Sequence, residues 1–318
     1  SDFSNLIFVG FVGMIDPPRE EAKSSIMKAR SASIRVIMTT GDHRNTAVAI
    51  AKEIGLINNV KNSKWPEALT EVELEALNEK QFEEAVENVS VFARLTPQMK
   101  LKIASALQKQ GHVVAMTGDG VNDAPALKKA DIGISMGIIG TDVAREASEI
   151  ILADDNFASI IGAVEEGRIV FTNTKNATSF LITTNIAEEA TILATMILGL
   201  PLPLLPVQLL WLNLVTDTAP ALALAAERGN TDALQEKPHN KKENLISKEI
   251  IPFIILPTLV MVSLTLAFFY INLSEGLEKA RSAVLAAMVL THLFSMFSMR
   301  DMKNSLFSST TRRNKYFM

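Results

Sequence analysis

Hydrophobic and polar positions are distributed differently in the two halves of the chain. Before about residue 175, short apolar runs alternate with segments of helical spacing, and these runs lie at 34–38, 89–93, 113–116 and 132–136. Strands alternating with helices are typical of a parallel, doubly wound sheet. Residues 6–12 predict one more strand, which ends before Asp16. Residues 58–88 are polar, acidic and irregular, and they predict a surface excursion without chemistry.

After about residue 175 charged residues become rare, and the pattern predicts helices long enough to cross a membrane. Helical spacing is almost unbroken over 155–198, which corresponds to roughly 60 Å of helix. Apolar stretches predict four spans, at about 177–200, 204–226, 250–271 and 283–299. The sequence therefore predicts an α/β parallel-sheet domain at 1–154 and an α-helical bundle of four transmembrane spans at 155–318.

Composition and charge exclude some classes of protein. The formal net charge of -4 and the lack of a basic stripe argue against a nucleic-acid partner. The absence of Cys excludes disulfides and thiolate metal sites. Lys and Arg cluster after the second span and in the tail, whereas the opposite side carries little beyond Lys279 and Arg281. The soluble domain and the tail are therefore predicted to be cytoplasmic.

The string TGDGVNDAPAL at 117–127 follows an apolar run and places Asp119 and Asp123 where a strand ends. Gly118 and Gly120 tolerate the sharp turn that a phosphate loop needs. Carboxylates are the ligands of a hard cation. The string therefore predicts a Mg²⁺ and phosphate site.

Other strand ends carry polar residues at the same edge of the predicted sheet. Thr40 and Asp42 follow the second apolar run, and Thr96-Pro97 begins a helix that places Lys100 near its amino end. Loops at the carboxyl ends of parallel strands form the binding site of such a sheet. These residues are therefore expected to share the site with Asp119.

Polar side chains also occur at depths where lipid is expected. The first two spans carry them at helical spacing, namely Asn185, Glu188, Glu189, Asn213, Thr216 and Asp217. Ionisable groups there are costly and usually mark an ion path. Oxygen ligands suit Ca²⁺ or another hard cation, and Pro220 would free a backbone carbonyl as a further ligand. Hydrogen bonds between helices are the alternative, above all for Asn and Thr. Glu189 is the weaker candidate, and His292 in the fourth span serves either as a helix-to-helix hydrogen bond or in the cation site.

These motifs together resemble the P-type cation-transporting ATPases, and most closely the calcium pumps of the sarco/endoplasmic reticulum group with their bacterial relatives. The resemblance covers nearly the whole chain and rests on five motifs: Asp16-Pro-Pro-Arg19, Thr40-Gly-Asp42, Phe92-Ala-Arg94 with Pro97 and Lys100, the string at 117–127, and PVQLLWLNLVTD at 206–217. It implies a haloacid-dehalogenase-like domain, ATP as substrate, Mg²⁺ as cofactor, Ca²⁺ as the transported ion, and a multi-pass protein of the bacterial plasma membrane.

The resemblance also implies roles for individual residues. Asp119 would hold Mg²⁺, Lys100 would neutralise the transferred phosphoryl group, and Thr40 with Gly41 would hydrogen-bond it. Asn122 and Asp123 would complete the pocket, while Asp42 and Arg94 would contact the nucleotide. The matching ligands of the transported cation are Asn185, Glu188, Asn213, Thr216 and Asp217.

Two departures from the family pattern change the expectations. His292 stands where two-site calcium pumps have an acid, so we expect one Ca²⁺ per cycle. The string D-K-T-G-T, whose Asp forms the phosphoenzyme, does not occur in these 318 residues. The actuator domain, the nucleotide-binding domain and the other spans are also missing. The chain is thus expected to be a carboxyl-side part of a pump, inactive alone and partnered by the rest of that pump and by the bilayer.

Two other functions stay open on the sequence. One is a pump of the same type for Mn²⁺, Na⁺ or H⁺. The other is a non-catalytic membrane protein, such as a regulatory one, that is derived from a pump. The long helix over 155–198 is expected to transmit phosphorylation to the cation site, because it reaches both regions without a strong break.

Overall fold

The computed structural model describes residues 7, 9–10, 12, 17–57, 64–228, 233–235, 238 and 244–300. The chain divides into two compact units, Ser1–Gly162 and Ala163–Met318. The division falls just inside the long helix, a few residues beyond the predicted boundary after residue 154. The predicted strand at 6–12, Asp16 and the basic tail lie wholly or mostly outside the described residues.

Six short strands and seven helices form the described part of the first unit. The strands are β1 (Met38–Thr39), β2 (Leu69–Thr70), β3 (Val91–Ala93), β4 (Ala115–Gly118), β5 (Ile132–Met136) and β6 (Ile150–Leu152). The helices are α1 (Glu20–Ser31), α2 (Arg44–Glu53), α3 (Glu71–Glu75), α4 (Glu79–Asn88), α5 (Pro97–Lys109), α6 (Ala124–Lys129) and α7 (Asp142–Glu146). The predicted α/β class is confirmed.

All strand pairs in the first unit are parallel, as predicted, but hydrogen bonds divide the strands into two sheets of three. Their orders are β1-β3-β2 and β4-β5-β6. Strand β3 is buried on both faces: Phe92 packs with Leu74 and Phe82, while Val91 and Ala93 pack on the opposite side with α1 and α2. Burial on both faces is the usual state of a parallel strand.

The surface excursion predicted for residues 58–88 is wrong for the described part of that segment. It contains β2, α3 and α4, and it contributes Leu74, Phe82 and Val86 to a buried core. Asn78 and Thr70 cap its two helices through capping boxes with Gln81 and Glu73. The acidic positions are the exposed faces of short helices, and such helices contain too few turns for a clear period in the sequence.

The second unit consists of helices that are long and apolar enough to cross a membrane, as the four predicted spans require. Helix α8 (Phe157–Ile197) begins in the first unit and continues without interruption. A second helix runs over Pro206–Ala225 as α9 (Pro206–Trp211), a π-helical segment (Leu212–Asp217) and α10 (Thr218–Ala225). Helices α11 (Ile251–Leu273) and α12 (Leu277–Arg300) complete the described bundle.

Candidate functional site

The string at 117–127 forms a tight loop between β4 and α6, and Asp123 organises it. Asp123 Oδ2 accepts hydrogen bonds from the backbone N–H groups of Asp119 at 3.3 Å and Gly120 at 3.2 Å. Gly118 is required here, because a Cβ at that position would collide with the Asp123 side chain. The loop therefore closes around one carboxylate.

The second oxygen of Asp123 holds Lys100. Lys100 Nζ lies 2.7 Å from Asp123 Oδ1, and both side chains are largely buried. Lys100 is in the first turn of α5, whose amino end is fixed by Thr96 and Glu71: the Glu71 carboxylate accepts from Thr96 N at 2.5 Å and from Thr96 Oγ1 at 2.7 Å. Glu71 belongs to the segment that was predicted to carry no chemistry, yet it positions the helix that presents the lysine.

Asp119 and Asn122 are exposed beside this ion pair. The backbone carbonyl of Asp119 accepts a hydrogen bond from Thr141 N at 2.8 Å. This bond fixes the backbone that carries the Asp119 carboxylate. Both oxygens of Asp123 are already bonded, so Asp119 is the better placed ligand for a hard cation. An exposed carboxylate at the carboxyl end of a strand fits Mg²⁺, which usually binds proteins through one or two carboxylates.

Thr40, Gly41 and Asp42 follow β1 at the carboxyl end of the other sheet. Thr40 Oγ1 accepts from Asp42 N at 3.1 Å and donates to Asp42 Oδ2 at 3.1 Å. Two backbone bonds lock this turn to the loop after β3: Arg94 N donates to Asp42 O, and Leu95 N donates to Thr40 O. Arg94 has a left-handed backbone with φ of 52°, which is uncommon for a residue other than glycine.

The direct contacts of the predicted phosphate-site residues thus form two groups. Thr40 and Asp42 contact the Arg94 loop, and Lys100 contacts the Asp123 loop. Helix α5 starts shortly after Arg94 and carries Lys100, so it links the two groups along the chain.

The second candidate site lies among α8, the π-helical segment and α12. Ligand atoms of Glu188, Asp217 and His292 lie within 4.8 Å of one another, and all three residues are buried. His292 Nδ1 is 2.8 Å from Asp217 Oδ1, and Thr184 Oγ1 donates to Asp217 Oδ2 at 2.7 Å. Asn213 Nδ2 donates to Glu188 Oε2 at 3.3 Å. The polar positions of three helices therefore converge.

Two members of this group and the neighbour of the third each have a buried polar atom without a hydrogen-bond partner within the described chain: Glu188 Oε1, His292 Nε2 and Thr216 Oγ1. Leaving buried polar groups unpaired is costly, and native structures contain few of them. Such atoms gathered in one place are typical of a site whose ligand completes the bonding.

The remaining predicted ligands are placed differently. Asn185 is half-buried, and its amide donates to Leu181 O of its own helix at 2.6 Å. Glu189 is exposed. Asn213 is exposed although its amide reaches Glu188. The π-helical segment ends three residues before Pro220, which lacks a backbone N–H.

Comparison with known proteins identifies the family of this chain. A family described as "Cation transporting ATPase, C-terminus" matches residues 201–318, and one described as "haloacid dehalogenase-like hydrolase" matches residues 4–131. A calcium-transporting ATPase 1 of Bacillus cereus is 42% identical over 99% of this chain. A calcium-transporting ATPase of Bacillus subtilis is 43% identical over 99% of it, and the endoplasmic reticulum calcium ATPase srcA of Aspergillus fumigatus is 50% identical over 76%.

The chain belongs to the P-type cation-transporting ATPases. It spans 37%, 35% and 25% of the length of those three relatives, respectively. The predicted resemblance and the predicted haloacid-dehalogenase-like fold are confirmed.

Sequence reasoning missed three residues of this ATPase chain at or near the sites. Thr184 bonds Asp217, and Ser295 Oγ, on the same helix as His292, is buried without a partner among the described residues. Thr184 precedes Glu188 by one helical turn and Ser295 follows His292 by nearly one, so polar spacing in an apolar helix could have found both. Thr141, which bonds the Asp119 carbonyl, gives no such signal because it contributes a backbone N–H.

Asp155, which lies just before α8, is a further residue of this ATPase chain that sequence reasoning missed. The Asp155 carboxylate accepts hydrogen bonds from three successive backbone N–H groups, those of Gly137, Ile138 and Ile139, at 2.6, 3.0 and 2.9 Å. Burial raises the pKa of the Asp155 carboxyl, but these three bonds outweigh burial and hold the pKa below its usual range. The loop they fix leads directly to Thr141 and so to Asp119.

Proposed function

We propose that this chain is part of an ATP-driven pump that exports Ca²⁺ from the cytoplasm through an aspartyl-phosphate intermediate. The observation that carries the proposal is the coexistence, in one chain, of the Lys100–Asp123 loop and a buried Glu188–Asp217 cluster in which Glu188 Oε1 has no partner among the described residues. The names of the relatives from two Bacillus species support Ca²⁺ as the cargo.

In the proposed phosphoryl transfer, the chain supplies charge and position. Lys100 stabilises the negative charge of the transferred group, and Asp123 acts as a positioning residue because it holds the lysine and the loop. Gly41 offers its backbone N–H to the phosphoryl oxygens, and Thr40 offers the hydroxyl proton that it otherwise donates to Asp42. Asp119 would hold Mg²⁺, which neutralises charge on those oxygens when bound. Preorganised donors and metal of this kind lower the barrier for phosphoryl transfer.

The nucleophile is proposed to lie outside these 318 residues, since no D-K-T-G-T string occurs among them. Strands β1 and β4 each end one sheet, and both carry site residues at their carboxyl ends. A strand bearing the nucleophile could pair with either edge. A polypeptide of these residues alone is therefore proposed to be inactive, with the actuator, the nucleotide-binding domain and other spans supplied by the same pump.

The cation site is proposed to use Glu188, Asn213, Thr216 and Asp217, with Asn185 joining after its amide leaves Leu181 O. The test is Ca²⁺-dependent phosphoenzyme formation from ATP by the complete pump in membrane vesicles. Acid-stable phosphorylation that requires Ca²⁺ and ATP-driven uptake of Ca²⁺ are expected. Phosphorylation without any cation dependence would contradict the proposal.

A further inference from the structure

The buried cluster in the second unit contains the imidazole of His292, and a calcium site built only from oxygen ligands does not need this nitrogen ligand. Glu188, Asp217 and His292 come from three different helical elements, and their exposed fractions are 3%, 1% and 0%. One ligand atom from each lies within 4.8 Å of the other two. A fully buried imidazole in such a group is either a structural hydrogen-bond partner or a ligand.

The hydrogen bonds of His292 separate these two roles. With the imidazole proton on Nδ1, the 2.8 Å contact is a hydrogen bond that His292 donates to Asp217 Oδ1. The neutral tautomer then carries its lone pair on Nε2. Nε2 is buried and has no partner within the described chain. A carboxylate that orients a histidine and leaves the other nitrogen free is the usual arrangement around a protein-bound metal.

The surroundings of Nε2 favour a cation as its partner. Glu188 Oε1 and Thr216 Oγ1 are likewise buried and unpaired within the described residues. A purely structural histidine would have both ring nitrogens bonded, because an unpaired buried acceptor is costly. Glu188 and His292 belong to one group of buried ligand residues, so a cation bound among them would give both unpaired atoms a partner.

We propose that His292 Nε2 is a direct ligand of the transported cation, which gives the site a mixed oxygen and nitrogen donor set that accepts Mn²⁺ beside Ca²⁺. Ca²⁺ takes oxygen ligands, whereas imidazole nitrogen suits first-row transition metals. This inference rests on the proposed function, because it assumes that the Glu188–Asp217 cluster holds the cargo. His292 is thus a residue that determines cation specificity.

Pulsed electron paramagnetic resonance of Mn²⁺ tests the proposal, since a directly bound imidazole modulates the signal through its ¹⁴N nucleus. The purified protein in lipid nanodiscs is loaded with one equivalent of Mn²⁺, with and without ¹⁵N-histidine labelling. We expect nitrogen modulation that changes frequency on labelling and that disappears in His292→Gln. The matched controls are His43→Gln, a helix cap, and His112→Gln, which pairs with Glu87; both should keep the modulation.

Affinity gives a second measurement. We expect His292→Gln to weaken Mn²⁺ binding about tenfold, and Ca²⁺ binding by less than about threefold, because only Mn²⁺ gains from nitrogen. Binding of Mn²⁺ that depends on Glu188 but shows no histidine nitrogen would overturn this inference and leave the cation site intact. Loss of Glu188 dependence for both ions would instead overturn the proposed cation site. ¹⁵N labelling needs no substitution, so the presence of a histidine ligand is measured on the unmodified protein, and the variant with its two controls assigns that ligand to His292.

Discussion

His292 Nδ1 lies 2.8 Å from Asp217 Oδ1 inside the second unit, and neither side chain is exposed. His292 stands where two-site calcium pumps have an acid, and it contacts the proposed cation ligand Asp217 directly. One carboxylate fewer reduces the negative charge that holds a second divalent ion.

One Ca²⁺ per cycle is expected for this reason. The complete pump, equilibrated with radioactive Ca²⁺, should bind one ion for each phosphoenzyme that ATP forms. A ratio of two would contradict the prediction. The variant His292→Glu restores an acid at this position and should raise the ratio if the missing carboxylate is the cause.

Glu188 and Glu189 are neighbours that should behave differently. Glu188 is buried with an unpaired oxygen, whereas Glu189 is exposed. The variant Glu188→Gln removes a charge that the cation needs, and it should weaken Ca²⁺ binding about tenfold or more, while Glu189→Gln changes it little. Equilibrium binding of Ca²⁺ to both variants checks this, and equal effects would count against the placement of the site.

Lys100 should be essential for phosphorylation, and Lys102 provides its control. Lys102 is on the same helix, but its Nζ lies 4.4 Å from the centre of the Phe82 ring. The variant Lys100→Met should slow phosphoenzyme formation in the complete pump by about a hundredfold or more, as loss of one charge-stabilising donor does elsewhere. Lys102→Met should leave the rate nearly unchanged.

A thermal melt of both lysine variants is needed beside the rate. Removing Lys100 leaves the buried Asp123 carboxylate unpaired, so some loss of stability is expected. Lys100→Arg keeps the charge and serves as the folded reference. A rate for Lys100→Met equal to that of Lys102→Met would exclude the proposed role.

Asp155 should stabilise the protein in a pH-dependent way. Its folded-state pKa is depressed, so its contribution is present above the unfolded value of about 3.9 and is lost as pH falls through the folded pKa. Asp155→Asn should therefore lower the melting temperature at pH 7, and the difference from the wild type should shrink below about pH 4. Asp142→Asn, at a side chain that is 87% exposed, should show a small effect at every pH.

The continuity of α8 should be required for coupling ATP hydrolysis to uptake. A flexible glycine-rich insertion at Gly167 should leave ATP hydrolysis in the complete pump but abolish ATP-driven Ca²⁺ uptake. Gly167→Ala is the control, because a Cβ there meets open space and Ala favours the helix. Uptake that survives the insertion at the normal rate would refute the role of the helix.

Features with a long or strongly spaced pattern were predictable from the sequence. The length of the apolar stretches was enough to predict the four long helices, and the unusual string of glycines and acids was enough to predict the loop at 117–127. Parallel strands were predictable as a class, but their division into two sheets was not, because strands of two or three residues carry too little pattern to specify their neighbours.

Contacts between residues far apart in the chain were not predictable. Glu71 bonds Thr96, and Asp155 bonds Gly137, across 25 and 18 residues of sequence. The periodicity of a helix or strand gives no information about contacts at such distances. The role of His292 was open for the same reason: only the packed helices show that one nitrogen contacts Asp217 while the other has no partner among the residues that the structure describes.

The π-helical segment over Leu212–Asp217 gives the cation site a way to change its ligands without unfolding. A π turn contains an extra residue relative to an α turn, and that residue can move along the helix while the helix stays continuous. Each such step rotates the side chains it passes by about 100° around the helix axis. Thr216 and Asp217 stand at the end of the segment, so a single step would turn both side chains and would release a cation bound at the proposed site.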